Sequence, residues 1–199
     1  MSLRVAPLTG EALRAALPRL AELRIAVFRD WPYLYDGDAA YEADYLRAYA
    51  ESPGALVVGA FDGPRLVGAA TAAPMEDHAA AFAEPFRARG FDPSDILYCG
   101  ESVLLPAWRG RGIGHAFFDA REAHARALGR RLACFCAVIR APDDPRQPPD
   151  HRPLDGFWLK RGYTPAEGLV ASLDWREVGA AEQTAHTMRL WLRDLSLGA

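Results

Sequence analysis

Residues 3–7, apolar but for Arg4, read as a short strand, and Thr9 then stands where a helix cap belongs. Across residues 18–28, Leu20, Leu23, Ala26 and Val27 share one helical face. The spacing predicts a helix that Pro18 divides and that ends near Phe28. Residues 30–38, dense in aromatics and acids, read as a loop. Residues 39–52 read as a second helix, with Tyr41, Tyr45 and Tyr49 at i, i+4 and i+8. The apolar runs 55–61 and 65–74 have strand length and meet through Asp62-Gly63-Pro64, a hairpin signal. Residues 76–89 predict a helix closed by Gly90.

The second half alternates strand and helix. Residues 96–105 predict a strand, 112–128 a helix stopped by Gly129, and 132–138 another strand. A strand–helix–strand unit of this length implies a parallel pair with a crossover. Five prolines (142, 145, 148, 149 and 153) mark residues 140–153 as a loop. A short helix at 154–160 and a strand pair at 169–175 and 186–192 complete the chain. Antiparallel pairs at both ends and a parallel crossover between them predict one α/β domain over residues 1–199. Its core is a mixed, twisted sheet of about seven strands with flanking helices.

Composition narrows the function classes. The chain has 199 residues, half of them hydrophobic and a quarter charged, which is globular usage. A net charge of −3 speaks against a nucleic-acid partner. The longest apolar run, 132–139, is far below the ~20 residues that span a bilayer, and Arg4, Glu11 and Arg14 interrupt any leader-like stretch. Three cysteines (99, 134 and 136) in apolar runs suit a reducing compartment, so a cytoplasmic location is expected. The histidines 78, 115, 124, 151 and 186 lack metal-ligand spacing, and no metal is expected.

The chemistry-bearing stretch runs from Ser102 to His115. Here an apolar strand passes through Pro106 and Trp108 into Arg109-Gly110-Arg111-Gly112-Ile113-Gly114 and then a helix. Glycines let backbone amides approach a ligand closely, and the helix N-terminus adds partial positive charge, which together make a pyrophosphate cradle. Two arginines inside so short a turn would repel each other without an anion. The dinucleotide fingerprint fails because the glycines are spaced G-x-G-x-G, and the Walker spacing fails for want of Gly-Lys-Ser/Thr. Gly100-Glu101-Ser102-Val103-Leu104 begins like a nucleophile elbow but has leucine where glycine is needed.

Arg109, Gly112 and Gly114 do satisfy Arg-x-x-Gly-x-Gly, and in this setting the segment resembles the acyl-CoA motif of the GNAT superfamily of N-acyltransferases. Phe157-Trp158-Leu159-Lys160-Arg161-Gly162-Tyr163 is similar to a second motif of that family, and the order of elements also fits. Two positions depart from the pattern: Trp158 stands where the family often has a tyrosine general acid, and His151 where an asparagine would be.

The resemblance implies acetyl-CoA as co-substrate and a GNAT-like sheet whose central parallel pair splays to hold it. Backbone at Val103, Leu104 and Leu105 would meet the pantetheine, with the Leu104 N–H as oxyanion donor. Arg109, Gly110, Arg111, Gly112, Ile113, Gly114 and His115 would hold the pyrophosphate. Glu101 is the candidate base, directly or through a water, and the other reading of it is a glutamate paired to an arginine.

Residues 29–51 carry six acids against Arg29 and Arg47. Trp31, Tyr33 and Tyr35 are interleaved there, and the resemblance puts this region beside the acceptor. Acids and aromatic faces suit a cationic primary amine of a small molecule or peptide, although the same residues would also serve as packing and solvated surface. An N-acetyltransferase is the expected function. A non-catalytic acyl-CoA-binding domain is the alternative, and a homodimer stays open.

Overall fold

The sheet begins with β1 (Leu3–Leu8), leaves for two helices, α1 (Gly10–Phe28) and α2 (Ala39–Glu51), and returns as the hairpin β2 (Leu56–Asp62) and β3 (Arg65–Pro74). Then come α3 (Ala80–Arg87), β4 (Ile96–Tyr98), β5 (Ser102–Leu104), α4 (Ile113–Ala127), β6 (Leu132–Val138), α5 (Asp155–Lys160), β7 (Thr164–Arg176) and β8 (Gln183–Asp194). The structure, a computed structural model, describes residues 3–77 and 80–197. His78 and part of the helix predicted at 76–89 lie outside them; the described part is a 3₁₀ turn (Met75–Asp77) and α3. The eight strands run β1-β2-β3-β4-β6-β8-β7, with β5 beside β3. The β4–β6 pair is parallel, and every other pair is antiparallel.

Helix α1 corrects one expectation. It passes through Pro18 as a single element of 19 residues, and Thr9 makes no side-chain cap. Leu13 before the proline and Leu20 and Leu23 after it bury into one core with Leu46, Val57 and Val103. That continuous burial outweighs the about 3 kcal/mol a proline costs inside a helix.

Helices cover both faces of the sheet. Side chains of α1 and α2 pack with Ala69, Ala73 and Val103, while α3 supplies Ala83 and Phe86 to a cluster with Tyr98, Cys134 and Leu190. On the opposite face, α4 places Ile113 and Phe117 against Val58, Val67 and Ala70, and Phe118 against Leu97, Phe135 and Tyr163. Strand β3 is buried from Leu66 to Pro74 because helices lie on both sides of it, and its alanines keep that sandwich thin.

The sheet has eight strands because the run predicted at 96–105 breaks in two. Tyr98 sits opposite Ala73 and Ser102 opposite Ala70, so four steps on one strand face three on the other. Thr71 meets two residues at once, accepting from Gly100 N–H (3.1 Å) and donating to Glu101 O (3.1 Å). This is a β-bulge, which bends a strand and re-aims its side chains. Only glycine fits at position 100, since a Cβ there would lie 2.2 Å from Tyr49 Oη and 2.7 Å from Thr71 Oγ1.

Candidate active site

The bulge opens the sheet. Strands β4 and β6 pair as far as Tyr98 and Cys134, and the Cys99 N–H still donates to Cys134 O (2.7 Å). Beyond that point β5 stays with β3, while β6 continues to Val138 with β8 as its partner. The result is a wedge-shaped gap between β5 and β6.

Hydrogen-bond parity fixes what faces it. Leu105 N–H donates to Val67 O (3.0 Å) and Glu101 O accepts from Thr71, so odd-numbered residues of β5 spend their main-chain groups on β3. Ser102 and Leu104 therefore turn theirs into the gap. Of the three strand residues expected to meet a donor, Leu104 alone offers an N–H there; the amides of Val103 and Leu105 are directed at β3. Across the gap, Ile139 N–H donates to Thr187 O (2.9 Å), which directs odd residues of β6 to β8 and leaves the main chain of Cys136 turned into the gap. Which residues of β6 turn their main chain into the gap cannot be read from the sequence, because parity is invisible until the partners of a strand are known.

At the outer end of β5 a 3₁₀ turn (Pro106–Trp108) leads into the glycine turn. Gly110 and Gly112 hold φ of +71° and +80°, which side chains avoid, and open space surrounds both. No side chain caps α4, and its first bond is Ala116 N–H to Gly112 O (3.2 Å). The amides of Ile113, Gly114 and His115 are thus without helical partners. Arg109 and Arg111 are exposed beside them, and Arg109 Nε also donates to Leu104 O (3.2 Å). Open amides at a helix N-terminus with two arginines suit a pyrophosphate.

On the α1–α2 face of the gap lies a buried charge cluster. The Glu101 side chain is 2% exposed, and its Oε2 accepts from Arg24 (2.7 Å) and from the Tyr45 hydroxyl (2.9 Å). Arg24 also pairs with Glu42, whose side chain is fully buried. Tyr45 and Tyr49 share a hydrogen bond of 3.0 Å, and the Arg24 guanidinium lies 4.2 Å from the Tyr45 ring centre. Burial would lower the Arg24 pKa, but Glu101, Tyr45 and Glu42 together hold it well above its ordinary value. Burial, with Glu101 beside it, raises the Tyr45 hydroxyl. Among the described residues, Oε1 of Glu101 and Oε1 of Glu42 have no hydrogen-bond partner. Counted formally, the cluster sets two carboxylates against one guanidinium. From α4, the buried Arg121 donates to Glu101 O (3.2 Å) and fixes the bulge from the other face.

Of the three aromatics expected at the acceptor, Tyr33 and Tyr35 both feel this cluster. The Tyr33 hydroxyl pKa is raised by burial and by Cys136 and Glu101, and its ring packs on Phe28 and Trp175. Burial, with Glu42 beside it, raises the Tyr35 hydroxyl as well. Trp31 instead turns toward the proline-rich loop, 5.7 Å from the Arg140 guanidinium and edge-on to His151. Arg140 ties loop to turn by donating to Pro32 O (2.7 Å) and Tyr33 O (3.0 Å). Arg146 secures the same loop, binding Glu177 and Asp144, and its hydrogen bonds pull the Asp144 pKa down to about 2. Trp158 packs between Phe135 and Trp191, each at 5.0 Å. A surface depression of about 930 Å³ opens elsewhere, among Asp119, Lys160, Arg161 and Arg193, and no candidate site residue lines it.

Arg24, Glu42, Tyr45 and Tyr49 were not read from the sequence as site residues. Their signal was present, since Arg24 follows Leu20 by four on an apolar helical stripe and Glu42 precedes Leu46 by four on another. No group of three or more His, Cys, Asp or Glu able to hold a metal occurs among the described residues, and no helix among them is long and apolar enough to cross a membrane.

The model of the acetyltransferase (GNAT) family matches residues 19–163. Similar solved structures include an N-acetyltransferase from Staphylococcus aureus Mu50, with 14% identity, 98% of this chain and 99% of that one covered, and a TM-score of 0.59. A GNAT acetyltransferase from Streptococcus pneumoniae has 12% identity, coverage of 97% and 99%, and a TM-score of 0.57. A Salmonella typhimurium protein solved with acetyl-CoA has 14% identity, coverage of 100% and 97%, and a TM-score of 0.59. No curated protein matches the sequence.

Proposed function

The chain belongs to the acetyltransferase (GNAT) family, which uses acetyl-CoA, and from that premise we propose that it acetylates a cationic primary amine of a small molecule or peptide by direct attack. The observation that carries the reading is the gap itself, with the Leu104 N–H turned into it and the glycine turn at its outer end. The whole chain acts in this proposal as one domain.

Acetyl-CoA supplies an activated thioester. Arg109 and Arg111, with the amides of residues 110–115, hold the phosphates, and Leu104 N–H donates to the acyl carbonyl oxygen, where charge builds during attack. Amines with a pKa near 10.4 are almost wholly protonated at pH 7, a handicap of about 4–5 kcal/mol. Glu101 removes it: Oε2 stays with Arg24 and Tyr45, and Oε1 takes the ammonium proton directly or through a water. The formal excess of negative charge in the Arg24–Glu42–Glu101 cluster draws the cation in, and Tyr33 lines its approach. Tyr35 stands beside Glu42, while Trp31 and the loop of residues 140–153 form the outer wall.

The test is a panel of amines with acetyl-CoA, following free thiol release. Turnover with cationic primary amines is expected. Tight acetyl-CoA binding without turnover on any amine would favour the binding-domain alternative.

A further inference from the structure

We propose that Arg121 is a positioning residue for the transfer, holding the main chain of Glu101 so that its carboxylate meets the incoming amine. The inference rests on the acetyltransferase reading above, with Glu101 as the base. Arg121 lies on α4, about 12 Å along the helix from Ile113, and is 2% exposed. A guanidinium at such depth ordinarily meets a carboxylate. Among the described residues Arg121 makes no ion pair, and the neighbouring Glu122 gives its Oε2 to Arg161 (2.9 Å) and Arg193 (2.9 Å) instead.

What Arg121 has is one hydrogen bond, from Nη1 to Glu101 O (3.2 Å), and the Phe118 ring, whose centre is 4.6 Å from its guanidinium. Its Nε has no partner. The Arg161 guanidinium lies 5.6 Å from the same ring centre, so a second cation stands close by. For folding alone the arrangement is unfavourable. An apolar side chain of similar size would spare the desolvation of a charge and its repulsion from Arg161. It would orphan no acceptor, because Glu101 O also accepts from the Thr71 N–H (3.1 Å).

The benefit lies at the bulge. From β3, Thr71 alone holds the Glu101 main chain, with its N–H on Glu101 O and its Oγ1 accepting from Glu101 N–H (3.3 Å). Two bonds to one residue on one edge make a hinge. Arg121 arrives from the α4 face, opposite the Glu101 side chain, and stops rotation about it. At the other end Arg24 and Tyr45 fix Oε2. The free oxygen, Oε1, is therefore aimed only while both ends are held. A carboxylate tilted by about 15° moves its outer oxygen by about 1 Å, a misplacement that can cost on the order of a hundredfold in rate.

The experiment measures kcat at saturating acetyl-CoA and amine, Tm and calorimetric CoA affinity in the wild type, Arg121→Met, Arg121→Lys, Glu101→Gln and the Glu101→Gln/Arg121→Met double variant. Arg121→Met is expected to lose about tenfold or more in kcat, with CoA affinity within about threefold and Tm within about 2 °C of wild type or above it. The double variant should be no more than about twofold slower than Glu101→Gln, because a residue acting through Glu101 then has nothing left to position. Arg121→Lys keeps a donor for the carbonyl and should come within about threefold of wild type. Wild-type kcat in Arg121→Met overturns the inference, as do losses that multiply in the double variant or a lysine variant as slow as the methionine one. A methionine variant that does not fold, or melts more than about 5 °C lower, also overturns it, since Arg121 would then serve the fold. A wild type that binds acetyl-CoA and turns over no amine would instead bring down the acetyltransferase reading and this inference with it.

Discussion

Exchanging Glu101 for glutamine keeps the side chain's shape and removes its charge. Arg24 loses one of two carboxylates and keeps Glu42, so no buried charge is orphaned. The folding cost should stay below the about 3–5 kcal/mol of breaking an isolated buried pair. The kinetic cost has a ceiling. An amine of pKa near 10.4 is about 3.4 units from neutrality at pH 7, so a base can offset at most about 4.6 kcal/mol. Water recovers part of that, and general bases contribute roughly 10²–10⁴-fold. The expected loss in kcat at pH 7 is therefore about ten- to a thousandfold.

The sign with pH follows. In Glu101→Gln the reactive fraction of amine grows about tenfold per pH unit up to the amine pKa, so the deficit narrows as pH rises from 7 to 10. The cluster also loses its formal excess of negative charge, and KM for a cationic amine should rise. Initial rates by thiol release across that range, at saturating acetyl-CoA, measure both, with calorimetric CoA affinity as the control for folding. Wild-type kcat, or a deficit independent of pH with CoA affinity intact, would refute the reasoning and leave Glu101 as a scaffold for Arg24.

Gly112→Asp should abolish the rise in Tm that CoA gives, because the residue holds φ +80° at the head of α4 and an added carboxylate would repel phosphate; an undiminished shift would remove the glycine turn from the binding site. Gly100→Ala drives a Cβ into Tyr49 Oη and Thr71 Oγ1, an overpacking of roughly 1–3 kcal/mol that should lower Tm by about 2–12 °C. Its kcat should fall further than its CoA affinity, since the bulge aims Glu101. Arg140→Ala loses both hydrogen bonds to the Pro32–Tyr33 main chain; KM for the amine should rise about tenfold with CoA affinity unchanged, which steady-state kinetics and calorimetry separate. Trp158→Phe keeps the packing on Phe135 and Trp191; leaving a CoA thiolate unprotonated costs only about 2 kcal/mol at pH 7, so a loss above tenfold would show that Trp158 takes part in the chemistry.

The fold was legible wherever one face of an element repeats. Strand β6 ends where its apolar run predicts, and the hairpin of β2 and β3 turns at the predicted glycine, Gly63, with φ +58°. The bulge was not legible, because one extra residue does not interrupt an apolar run. Only Gly100 hints at it, since a lone glycine inside a strand often marks a bulge or a close approach. Pro18 misled for the opposite reason: a local penalty shows in the sequence, whereas the burial of Leu13, Leu20 and Leu23 that overrides it exists only after packing.

The same division runs through the site. The proposed phosphate cradle is contiguous chemistry, built by one turn and the helix it starts, so residues 109–115 could be proposed from the sequence alone. The charge cluster draws on α1 for Arg24, α2 for Glu42 and Tyr45, β3 for Thr71 and the bulge for Glu101, and no spacing rule joins those positions. What the sequence does hold is a pair of anomalies, an arginine and a glutamate each on an apolar helical stripe. A lone buried charge is too costly to keep, so two of opposite sign on neighbouring helices imply each other. Had they balanced, the pairing would be structural and complete. Glu101 makes three, and the formal sum is negative in a place closed to bulk water. A cationic acceptor would neutralise that charge and, in giving up its proton to Glu101, become the amine that can attack.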